Sequence, residues 1–160
     1  MSYQYQPPAG WSPPGAEFRT TGGFSRFLTG TVICLLITPI GIGFAAHGAA
    51  SARQWMILGD AADRVGSTVQ ILVGAALLLL VAGLAAYAPA GPIIAGLTWG
   101  VFPGVIYFMF PEDTYRLITE IPLLSDQTLL AVHAWVINGC IFLAGVLLVG
   151  AGAAATFRRR

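Results

Sequence analysis

The chain has 160 residues, of which 56% are hydrophobic and 9% charged, with a formal net charge of +1. Soluble domains carry about a quarter charged residues, so this composition excludes a water-soluble fold and assigns the chain to a membrane. So small a chain is one folding unit, and its near-neutral charge supplies no footprint for nucleic acid.

Residues 1–25 differ from everything after them. Tyr3, Tyr5 and Trp11 stand among Pro7, Pro8, Pro13, Pro14 and several glycines, with too little apolar content to bury a core, so a disordered tail is expected. Paired prolines favour the extended conformation that aromatic grooves recognise. No PxxP motif with a flanking base is present, and a solvated cytoplasmic leader is the simpler expectation.

A helix needs roughly 20 mostly apolar residues to cross about 30 Å of hydrocarbon. Four stretches of the remaining domain, 26–160, satisfy this, at residues 27–46, 69–88, 92–110 and 129–154, and none contains Asp, Glu, Arg or Lys. Runs such as Leu77-Leu78-Leu79-Leu80-Val81 are continuously apolar, whereas barrel strands alternate, so the spans are read as helices. The first follows a polar leader, unlike a signal peptide, and is expected to be retained.

The first span contains Cys34 and Pro39, and His47 stands just past its end, at the interface. Pro39 predicts a kink, because proline lacks an N–H and its ring clashes with the carbonyl four residues back. The connection at about 48–68 carries Trp55, Leu58, Ala62 and Val65 at helical spacing, which predicts a short helix on the membrane surface. After the second span, Tyr87-Ala88-Pro89-Ala90-Gly91-Pro92 reads as a tight turn. In the third span Gly96, Gly100 and Gly104 recur every four residues, lining up a face on which another backbone can approach closely, most simply inside the four-helix bundle and alternatively in another copy or subunit. Pro103, 64 residues after Pro39, predicts a second kink and invites comparison of the two halves as a repeat. The connection at 111–128 again carries an amphipathic set, Leu117, Ile121 and Leu124. In the fourth span Asn138 is read as a buried amide that bonds across to a neighbouring helix.

Charge sets the orientation. Arg19, Arg26, Arg158, Arg159 and Arg160 fall on one side with Glu17; Arg53, Arg64 and Arg116 fall on the other with Asp60, Asp63, Glu112, Asp113, Glu120 and Asp126. Arginine excess marks the cytoplasmic side, so both termini are expected inside. The expected architecture is an all-α integral membrane bundle of four transmembrane helices, arranged as two outward helical hairpins in the plasma membrane. The absence of lysine alongside abundant Ala, Gly and Arg fits a GC-rich bacterial genome.

No motif points to catalysis. A GxSxG elbow, a Walker loop and HExxH are all absent, and the adjacent Glu112 and Asp113 read as a solvated charge pair or a helix N-terminal cap. Cys34 and Cys140 are single thiols without a CxxC partner. His47 and His133 fall towards the same ends of the first and fourth spans; they could in principle ligate a haem from two sides, but no haem or metal motif surrounds them, and interfacial hydrogen bonding explains them more simply. The expectation is therefore a protein without enzymatic activity, metal or cofactor. It acts by binding, through the glycine face or through an outer surface anchored by Trp55, Leu58, Leu117 and Ile121. Its partners are the lipid bilayer and other membrane subunits or further copies, so its role is that of an accessory or scaffolding subunit of a larger envelope or energy-transducing complex. The alternative is a small oligomeric transporter or channel whose pathway is shaped by the two proline kinks. A third and weaker reading is a haem-bearing electron-transfer subunit.

Overall fold

The computed structural model describes residues 22–58, 64–119 and 125–158. The proline-rich tail, Asp60, Asp63, Glu120 and Ile121 lie outside the described residues. For Trp55, Leu58 and Leu117 the backbone alone is described.

Every described element is helical. Helix α1 (Gly22–Leu58) is followed by α2 (Arg64–Gly83), which tightens into a 3-10 turn at Leu84–Ala86. Helix α3 (Ala90–Gly96) passes through a π-helical turn (Leu97–Val101) into α4 (Phe102–Met109). A short amphipathic helix, α5 (Pro111–Thr119), leads to α6 (Asp126–Ile137) and α7 (Cys140–Phe157). Four helical runs are long and apolar enough to cross a membrane: Phe24–Gln54, Arg64–Ala86, Ala90–Met109 and Cys140–Phe157.

Two elements differ from the sequence expectation. Helix α1 does not stop at residue 46 but continues without a break to Leu58, giving 37 residues or about 55 Å of helix. Gly48 is not a stop signal here. It is buried against α2, where a Cβ would lie 2.8 Å from the Ser67 carbonyl oxygen. The connection between the first two spans is correspondingly short, and Trp55 and Leu58 belong to the last turns of α1 rather than to a separate surface helix.

The fourth apolar run is likewise two helices rather than one. Gly139 adopts φ +70°, a left-handed conformation that closes α6, with the Gly139 N–H donating to the Val136 carbonyl at 3.0 Å. Asn138 is exposed at this break, and its amide donates to the Ala134 carbonyl of its own helix at 2.8 Å. The expectation that Asn138 is buried and bonds across to another helix is therefore wrong: an Asn-Gly pair is a helix stop signal, and its polar groups are used to finish the turn they terminate.

Many of the buried positions are small residues, and most of the large apolar side chains face outward, unlike a water-soluble protein. Cys34, Ala46 and Ala95 are wholly buried, while Leu79 and Leu147 are 74% and 73% exposed. This is the pattern expected where the surroundings are as apolar as the core and association depends on close packing. Cys34 of α1, Val81 of α2, Ala95 of α3 and Leu148 of α7 meet in one cluster, to which four different helices contribute. A second cluster, nearer the other end, joins Ile42, Val136 and Ile141 with Leu78, Tyr107 and Trp135 at its margin.

Contacts also order the two ends. The Arg26 guanidinium lies 5.6 Å above the Tyr87 ring, Gly91 abuts Gly30, and Gly152 abuts the Pro89 carbonyl. The start of α1 and the end of α7 therefore flank the turn between α2 and α3. At the opposite end His47 of α1 meets Thr128 of α6.

Candidate functional site

Three features stand out: the glycine seams, a node built by the two prolines, and a pair of clefts that share His47.

Gly96, Gly100 and Gly104 lie along one buried face and meet α7. A Cβ at Gly96 would lie 2.7 Å from the Gly145 carbonyl oxygen, one at Gly104 would lie 2.7 Å from Phe142 Cβ, and one at Gly100 would collide with the Gly145 backbone. The motif thus packs within this bundle. A second seam, which sequence reading missed, joins α1 and α2, where a Cβ at Gly74 would lie 2.5 Å from the Ala45 backbone nitrogen and 2.7 Å from the Gly41 carbonyl oxygen. Gly41 and Ala45 are spaced four apart, a signal of the same kind with alanine in place of glycine.

The prolines are connected through one side chain. Pro39 cannot donate to the Leu35 carbonyl four residues back, and that carbonyl instead accepts the indole N–H of Trp99 at 3.0 Å. One residue earlier the buried Thr38 hydroxyl donates to the Cys34 carbonyl at 2.7 Å, a back-bond that favours bending. Trp99 in turn stands four residues before Pro103, in the π-helical turn. Pro103 leaves the Trp99 carbonyl without its helical donor, and the chain widens so that the Phe102 N–H reaches back five residues to Leu97. Helix α1 runs on unbroken past Pro39, a π-helical turn precedes Pro103, and Trp99 links the two proline positions.

His47 lies between two clefts. One, of about 490 Å³, is lined by Pro39, Ile40, Gly43, Phe44, His47, Gln70 and Thr128. The other, of about 240 Å³, runs between the far part of α1 and α6 and includes Ser51, Arg53, Gln54 and Gln127. The Thr128 hydroxyl is 3.3 Å from His47 Nδ1 and 2.9 Å from the hydroxyl of Ser125, the residue that caps α6. His133 is placed elsewhere, edge-on to Tyr107 with ring centroids 6.1 Å apart. The two histidines are thus held by different partners. Among the described residues no three His, Cys, Asp or Glu side chains gather to hold a metal ion. Cys34 is buried in the core and Cys140 opens α7, and neither is in a disulfide.

The outer-surface residues are only partly visible. The backbones of Trp55 and Leu58 end α1, and that of Leu117 lies in α5. Glu112 and Asp113 occupy the first turn of α5, where acidic side chains complement the helix dipole. The chain matches no protein-family model, and no curated protein or solved structure is significantly similar to it.

Proposed function

We propose that this protein is a multi-pass plasma-membrane subunit, with both termini cytoplasmic, that acts by binding rather than catalysis as an accessory or scaffolding component of a larger envelope or energy-transducing complex. The observation that carries this reading is the overlong first helix. At about 55 Å, α1 exceeds the roughly 30 Å hydrocarbon layer, and its last turns present Met56 and Ile57, 68% and 69% exposed, beside the exposed Arg53 and Gln54. An apolar pair on a helical arm at the membrane boundary, framed by polar groups, suits a protein docking surface. The amphipathic α5 lies at the same end and offers a second element to a partner. Because the glycine seam is occupied by α7, assembly falls to these outer surfaces.

The test is gentle purification of the tagged protein at native expression, with native mass measurement and identification of what co-elutes. A defined set of unrelated subunits, lost when Met56 and Ile57 are both changed to Ser, is the expected result. A clean homo-oligomer without other subunits would sink the accessory role.

A second reading, a small oligomeric transporter or channel, draws support from the interruptions at Leu97–Val101 and Asn138–Gly139, since broken helices build central sites in many transporters. Pro103→Ala separates the two readings. Loss of solute flux in proteoliposomes with assembly intact favours transport, and unchanged partner capture favours scaffolding.

A further inference from the structure

We infer that the two clefts meeting at His47 hold one anionic glycerophospholipid of the surrounding bilayer, with an acyl chain against the Pro39–Phe44 side of α1 and the phosphate beside Arg53. The grounds are the order of chemistry along the helix and the charge at its end. The larger cleft begins at Pro39, Ile40, Gly43 and Phe44, all apolar, and ends at the hydrogen-bonding groups of His47, Gln70 and Thr128. The second cleft continues from His47 past Ser51 to Arg53, its one charged lining residue, and reaches Ile57, with Gln127, Leu130, Ala131 and Ala134 of α6 as its other wall. An apolar stretch, then hydrogen-bonding groups, then a cation at the rim is the order of an acyl chain, its glycerol ester region and a phosphate.

The dimensions agree. Pro39 to His47 spans about 12 Å of helix, close to the half-thickness of the hydrocarbon layer. His47 to Arg53 adds about 9 Å, comparable to the headgroup layer. Gly43 leaves the α1 backbone bare towards open space, since a Cβ there would meet nothing within 4 Å. A chain can therefore lie directly against the helix between Pro39 and Phe44. Arg53, with a planar guanidinium, is suited to bidentate recognition of a phosphate.

The experiment uses the full chain reconstituted in nanodiscs of equal parts dioleoylphosphatidylglycerol and dioleoylphosphatidylcholine, followed by native mass spectrometry of the released protein. One retained phosphatidylglycerol per chain is expected, in preference to phosphatidylcholine. Gly43→Leu should fill the apolar cleft and reduce retention about tenfold, the effect of displacing roughly two methylenes. Its circular dichroism and thermal unfolding should be unchanged or improved, because the added side chain enters open space. Arg53→Gln should lower the preference for phosphatidylglycerol about fivefold. Absence of a retained lipid, retention blind to the headgroup, or retention indifferent to both substitutions would each overturn the assignment.

Discussion

A single hydrogen bond illustrates how polar groups are handled where no water competes. The Leu35 carbonyl, released by Pro39, takes the Trp99 indole N–H at 3.0 Å, and in an apolar medium a bare carbonyl is costly. Trp99→Phe keeps most of the ring but removes the donor, and should cost about 1 kcal/mol in SDS titration from mixed micelles. In a Pro39→Ala background the restored backbone N–H serves Leu35, so the same substitution should cost only about 0.3 kcal/mol, a non-additivity that identifies the pair. Gly139 makes a different demand. Its φ of +70° penalises any side chain, so Gly139→Ala should destabilise by about 1–2 kcal/mol in the same titration although Phe108, the nearest neighbour of the new Cβ, stands 4.0 Å away. The Asn-Gly pair is a local stop signal, yet residues 129–154 read as one span because the apolar run on either side of it is unbroken. Trp99's partner is not legible in the sequence, because nothing local marks which distant carbonyl an indole will reach.

At the scale of elements, the decisive objects are the seams. The four-residue glycine spacing in the third span identifies a face that packs closely, but spacing carries no information about what packs on it. Gly145 and Phe142 of α7 fill that place, which makes the seam a property of the monomer. Gly100→Leu, driven into the Gly145 backbone, should cost at least about 3 kcal/mol and lower the thermal stability of the isolated chain in detergent. Gly150→Leu is the control: a Cβ there meets nothing within 4 Å, so stability should hold or rise by up to about 1 kcal/mol through helix propensity. Similar losses for the two variants would mean that the seam is not what holds α3 to α7. The π-helical turn belongs to this scale as well. Pro103 predicts an irregularity, while its form, a widened turn beginning at Leu97, depends on the helix around it.

For the whole molecule, the inversion of packing, with Ala, Cys and Gly inside and Leu outside, describes a fold that expects an apolar surrounding. The contacts Arg26 with Tyr87 and His47 with Thr128 distinguish two ends without saying which faces the cytoplasm. The arginine asymmetry carries the expectation that the Arg26 end is the cytoplasmic one. In a background with Cys34 and Cys140 replaced by Ala, a membrane-impermeant thiol reagent applied to intact cells should label Arg53→Cys, and should label Arg158→Cys only after permeabilisation. The opposite pattern would invert the proposed topology.

By itself the sequence determined that the chain has four helices able to cross a membrane and that close packing runs along residues 96–104, because apolar length, backbone satisfaction and residue size are local quantities. It also located both prolines and the turn between the second and third spans. The tertiary structure alone decided that α1 runs on through Gly48, that the glycine face is spent on α7, that Trp99 caps the gap left by Pro39, and that His47 and His133 take separate partners. Those outcomes depend on which surfaces meet. Inside an apolar medium that choice follows from shape and from the few polar groups needing partners, and neither can be read from one segment at a time.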